Sequence, residues 1–133
     1  MDNILRKLGK HAIDSVNEIS SPIEKLEKYL FIVNQAVGPK FDRFMKNVEK
    51  IEGSKKMTDF HENFISEYTE KLLNEAIKKK EIREIDTKAF SILFSCIGRE
   101  FLSEKNRKLI STSPDESANS LTSIILNGIK LKN

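Results

Sequence analysis

The stretch Thr87-Lys88-Ala89-Phe90-Ser91-Ile92-Leu93-Phe94-Ser95-Cys96-Ile97-Gly98-Arg99-Glu100-Phe101-Leu102-Ser103 decides the fold. Helical spacing puts Phe90, Leu93, Phe94, Ile97 and Phe101 on one face, and Ile92, Cys96 and Leu102 on another beside small Ser91 and Ser95. A helix that is apolar beyond a single stripe must be buried on more than one side. Downstream, Ser113-Pro114-Asp115-Glu116 opens a closing helix. There Ala118, Leu121, Ile125 and Ile129 make a face that Ile124 and Leu126 widen, with Gly128 near the end. Two consecutive helices of this kind carry more apolar surface than one small core hides. Placing both at the centre of a monomer fits less well, because terminal helices rarely sit there. The expected architecture is therefore all-α: a bundle of about six helices whose last two long helices form a four-helix dimer interface. Ser91, Ser95, Leu102, Leu121, Ile124, Ile125 and Gly128 are the expected interface residues. A homodimer joined in this way would bury about 1,200–2,000 Å² or more in total.

Working outward, a long helix from Phe60 to Lys80 carries the stripe Phe60, Phe64, Ile65, Tyr68, Leu72 and Ala76. The link Glu81-Ile82-Arg83-Glu84-Ile85-Asp86 joins it to the next helix, which Asp86 or Thr87 caps. At the other end, Asp2 to Ile19 places Ile4, Leu5, Leu8, Ala12, Val16 and Ile19 on one stripe. Ser21, Pro22 and Glu24 then supply an N-cap, the favoured first-turn proline and the acid of a capping box. The helix that follows buries Ile23, Leu26, Leu30, Val33 and Val37, and Gly38-Pro39 stops it. A shorter helix with Phe41, Phe44, Met45, Val48 and Ile51 ends at Gly53. Loops are expected at Glu52 to Met57 and Glu104 to Ser113. No domain boundary or repeat interrupts the chain, so residues 1–133 read as one domain.

Composition narrows the class. With 38% hydrophobic and 32% charged residues, the chain reads as a globular helical body rather than a disordered one. No apolar run reaches membrane-spanning length, and the N-terminus lacks a signal-peptide core. A single cysteine, Cys96, excludes an internal disulfide framework and suits a reducing cytoplasm. The net charge of +3 gives little general attraction for polyanions, and Lys78 to Lys80 and Lys105 to Lys108 read as solvated helix ends.

The order of elements resembles the C-terminal sensor and dimerisation domain of TetR-type (tetracycline-repressor-like) transcriptional regulators. The resemblance rests on the Ser21-Pro22-Ile23-Glu24-Lys25-Leu26 helix start and the Ile82-Arg83-Glu84-Ile85-Asp86 link. It also rests on the helix with Gly98 near its end and the closing helix from Ser113-Pro114-Asp115-Glu116 to Leu126-Asn127-Gly128-Ile129. It covers Ser21 to Asn133 and implies a ligand cavity among the helices, dimerisation through the last two, and a role in transcription control of the repressor kind. Members of that family begin with a helix-turn-helix segment, and this chain starts where that segment would have ended. DNA contact is thus expected only through a segment missing here. Lys40, Arg43, Lys46 and Lys50 line the polar face of the short helix, where an ordinary solvated face explains them better than base reading.

Seven of the eight phenylalanines fall in the third to fifth expected helices, and small-molecule sites are mostly apolar. The expected lining of an effector cavity is Phe41, Phe44, Phe60, Phe64, Tyr68, Phe90, Phe94 and Ile97, although each alone could equally be core. Tyr29, Asn34, His61, Tyr68, Ser95 and Cys96 are candidates to orient a hydrophobic or amphipathic molecule. Catalytic chemistry is not expected. Neither His11 nor His61 has a second histidine at metal-ligand spacing, no phosphate-binding glycine loop exists, and Cys96 lacks a nearby histidine. Neither cofactor nor metal is expected, and Cys96 is expected to be a buried, inert thiol. Two functions follow: a ligand sensor, or a dimeric interaction module with a filled core that pairs with a complete regulator.

Overall fold

The computed structural model describes residues 2–35, 54–102, 104–110 and 113–131. Helix α1 spans Asp2–Val16, α2 Pro22–Gln35, α3 Ser54–Lys78, α4 Thr87–Leu102 and α6 Pro114–Ile129. A single helical turn, α5, covers Glu104–Arg107 inside the expected loop. Helices are the only regular secondary structure among the described residues, beside one isolated antiparallel bridge between Ile82 and Lys130. The expected short helix with Phe41 and Phe44, and the cations Lys40 to Lys50, lie outside the described residues. So do the side chains of Phe60, His61, Phe101 and Leu102.

Helix α3 begins at Ser54, so four of the six residues of the expected loop at Glu52 to Met57 are helical. Gly53 is the only breaker there, and Lys55, Lys56 and Met57 all favour helix. Helix α1 stops at Val16, three residues short of the expected end, in a turn where the Ile19 amide donates to the Val16 carbonyl.

Each helix start has its own chemistry. On α2, Pro22 has no N–H to satisfy, the Glu24 amide donates to Ser21 Oγ at 3.3 Å, and the Ile23 amide donates to Glu81 Oε1 at 3.0 Å. The first turn is thereby satisfied from within and from a residue 58 positions downstream. Asp86 caps α4, accepting the Ala89 amide at 3.0 Å. Ser113 holds the extended N-cap geometry before Pro114, but its hydroxyl makes no cap bond, so the design at α2 is only half repeated at α6.

Helix α3 ends in a Schellman motif. The Glu81 amide bonds the Ala76 carbonyl at 2.9 Å, the Lys80 amide bonds that of Ile77 at 3.0 Å, and Lys80 takes φ of 59°. That motif aims Glu81-Ile82-Arg83 at the end of α6. There the Arg83 amide donates to the Ile129 carbonyl (3.0 Å) and the Leu131 amide to that of Glu81 (2.9 Å). Lys130 Nζ reaches Glu27 Oε2 at 3.0 Å, and Lys79 Nζ the Ser20 carbonyl at 3.3 Å. The start of α2 and the ends of α3 and α6 are thus held at one end of the bundle.

The core runs along the bundle through Ala12, Val16, Leu26, Tyr29, Leu30, Ile65, Leu72, Leu73, Phe94, Ala118 and Leu126. Helix α3 packs most extensively on α4, α2 lies against α1, α3 and α6, and α4 also touches α6.

Two stability outcomes follow. Glu81→Ala removes a charged acceptor from the α2 start and is expected to cost about 1–2 kcal/mol, whereas Lys130→Ala, losing a half-exposed ion pair, costs under about 0.5 kcal/mol. Equal losses in urea unfolding would contradict this ranking. Lys80→Gly relieves the left-handed backbone and is expected to add about 0.5–1 kcal/mol, read as a rise in the thermal midpoint.

Candidate functional site

The expected cavity residues separate into three groups. Phe94 and Ile97 are buried members of the core. Phe90 and Tyr68 pack at its edge, with the Phe90 and Phe94 rings 6.4 Å apart. Phe64 is half-exposed, its ring lying over Gly9 of α1, where an added Cβ would sit 3.7 Å from it. Phe41 and Phe44 lie outside the described residues, and Phe60 is described only as part of α3. An open groove of about 460 Å³ runs along the outer face of α3, lined by Glu67, Glu70, Lys71, Asn74, Glu75 and Lys78. Its walls are charged, unlike those of the expected apolar cavity.

Tyr29, put forward as an orienting residue, sits wholly inside the protein, its ring 4.6 Å from that of Tyr68 and inclined at 60°. Its hydroxyl has no hydrogen-bond partner, and neither has the buried Thr69 Oγ1 on α3. Asn34, also put forward, is buried and donates from Nδ2 to Thr122 Oγ1 at 3.1 Å, joining α2 to α6. Thr69 and Thr122 were missed because threonine inside an apolar stripe carries no sequence signal of its own. The stripe positions themselves, one turn from Ile65 and Ala118, were the only available clue.

The second candidate surface is the outer side of α4 and α6. Ile92 is 55% exposed, Leu93 42%, Leu121 42% and Ile124 65%. Gly128 is exposed with nothing within 4 Å of an added Cβ, and Ser95 is half-buried. Ile125 is half-buried against the core. Ser91 does not share that outer side. It is wholly buried, donating to the Lys88 carbonyl at 2.8 Å and accepting from Ser66 Oγ at 3.3 Å, because its position one turn before Phe94 turns it toward α3. Cys96, expected to be buried, is partly exposed and donates from Sγ to the Leu93 carbonyl.

Among the described residues no group of three or more His, Cys, Asp or Glu side chains could hold a metal ion. No described helix is long and apolar enough to cross a membrane.

Burial holds the Tyr29 hydroxyl protonated well above the ordinary tyrosine value of 10.0, and the neighbouring Tyr68 adds to this. Tyr68 is also raised, first by burial and then by Glu75. Both raised groups keep their protons in the fold at a pH where the unfolded chain has lost them. Their contribution is therefore intact below about pH 10 and is lost as pH rises beyond it. These are the only tyrosines, so tyrosinate absorbance reports on them alone. It is expected to appear together with loss of helix during alkaline titration; full ionisation near pH 10 with the helices intact would contradict the buried placement. Comparison of the chain with protein-family models, characterised proteins and solved structures finds no match.

Proposed function

We propose that this chain is a ligand-sensing and dimerisation domain of the TetR type, acting on transcription through an attached DNA-binding segment. The observation that carries the reading is the outer side of α4 and α6, where Ile92, Leu93, Leu121 and Ile124 stand exposed on helices whose inner sides fill the core. Each of these helices has 16 residues, about 24 Å of length, enough for a four-helix interface with a second copy. Single exposed apolar residues are ordinary, but four on two adjoining helices favour a covering partner. The effector would be a small hydrophobic or amphipathic molecule held among the helices behind this face. Occupancy would alter the packing of α3 on α4, and a ligand that binds one arrangement better shifts the dimer toward it.

A second reading is a dimeric interaction module without effector, pairing with a complete regulator. The burial of Phe94 and Ile97 in the core, where side chains take the place of a ligand, favours it. Native mass spectrometry separates the two: a retained small molecule supports the sensor, and an empty dimer that captures a full-length regulator supports the module.

Dimerisation has its own test. Ile124→Glu with Leu121→Glu is expected to turn the dimer into a folded monomer in sedimentation at micromolar concentration. Wild-type protein sedimenting as a single chain there would overturn the proposed interface.

A further inference from the structure

Gly128 has no evident use inside the chain that carries it. Glycine is the poorest helix former after proline, so one inside a helix needs a reason. It lies within α6, whose C-cap is Lys130, and its backbone is not left-handed, so it neither caps the helix nor permits a turn. Nothing lies within 4 Å of a Cβ placed there, so no neighbouring element of the same chain needs the space. Close approach from outside is the use that remains.

The surroundings suit it. Leu121, Ile124 and Gly128 are exposed on α6 at spacings of three and four residues, the spacing of a helix–helix seam. On α4, Ala89, Leu93 and Cys96 follow at four and three, the first two exposed and Cys96 half-buried. The start of α4 and the end of α6 meet at one end of the bundle, where the Arg83 amide bonds the Ile129 carbonyl. The small residues Ala89 and Gly128 therefore lie at that end of the outer face, and Leu93, Leu121 and Ile124 lie farther along it. Charge is absent as well. Charged residues make up 32% of the chain, yet none occurs from Ala89 to Gly98 or from Ser117 to Ile129.

We propose that this face is covered by the same face of a second copy, whose helices pass closest at Ala89 and Gly128. The proposal rests on the dimer reading above and names its point of closest contact. A neutral surface gives no hold to a nucleic acid or a lipid headgroup, and it meets its own copy without like-charge repulsion. The area also suits a second copy. Two adjoining helices, each about 24 Å long and about 10 Å wide, give two copies about 1,000 Å² between them, the lower bound for a specific interface.

Sedimentation equilibrium of the wild type, Gly128→Leu, Ala89→Leu and the off-seam control Asn127→Leu measures dimer dissociation, and melting of highly diluted protein measures the single chain. Gly128→Leu and Ala89→Leu are expected to weaken the dimer about tenfold or more, because each fills space that the partner's helix occupies. Asn127→Leu should dimerise as the wild type does. Diluted Gly128→Leu should melt at or above the wild-type temperature, since leucine favours helix and the space within the chain is open. If instead the two seam variants dimerise as well as the wild type or better, added apolar area merely makes the face stickier, and the close contact is overturned while the dimer reading stands. A loss as large in Asn127→Leu, or a less stable diluted Gly128→Leu, would also overturn the close contact. Wild-type protein sedimenting as a single chain at micromolar concentration would overturn both.

Discussion

The architecture depends on the Glu81 side chain and the backbone on either side of it. One carboxylate oxygen satisfies the Ile23 amide at the start of α2. The Glu81 amide closes the Schellman motif of α3, and its carbonyl receives the Leu131 amide beyond α6. A single residue therefore connects three helix ends through three different groups. Helix termini present unmatched backbone donors and acceptors that a buried bundle end must satisfy. Here the ends satisfy one another. Ile82, buried between them, adds apolar contact to the same junction.

At the opposite end of the α2–α6 contact, Asn34 and Thr122 do a related job. A polar pair inside an apolar interface contributes little net stability but penalises every sliding of one helix past the other, since a shift leaves both groups unmatched. The Glu27–Lys130 ion pair and the Asn34–Thr122 bond thus hold two points along α2 in register with α6. The outer face of α4 and α6 is therefore presented on a backing whose register is defined.

Much of this was legible in the sequence where local chemistry speaks. Ser21-Pro22 and Asp86 marked helix starts because a side-chain oxygen must meet first-turn amides, and Leu26, Leu30, Leu72 and Ala76 declared themselves core by spacing. Failures came where neighbours decide. Leu121 was read on one stripe with Ala118, Ile125 and Ile129 and as an interface residue; it is exposed, and the buried line runs instead through Ala118, Thr122, Leu126 and Ile129. Hydrophobicity alone could not rank polar Thr122 above Leu121 without knowing that Asn34 stood opposite. Ser91 was assigned to an outer face for its small size, but smallness serves equally to let α3 approach. Lys80 gave no warning of its left-handed backbone, since glycine is the usual signal. Of the expected cavity, the parts contributed by Phe41 and Phe44 lie beyond the described residues, while Phe94 and Ile97 were legible as buried but not as lining or filling.

The junction around Glu81 also bears on how the protein acquires its shape. Its partners are separated by 58 residues in one contact and 103 in another, and the Asn34–Thr122 bond spans 88. Contacts so remote along the chain cannot nucleate early, because closing such long loops costs entropy before anything rewards it. The neighbouring pair α3 and α4, joined by a short link, is the natural first unit. The contacts of α6 with α2 close the longest loops in the described structure, so they carry the largest entropic cost of forming.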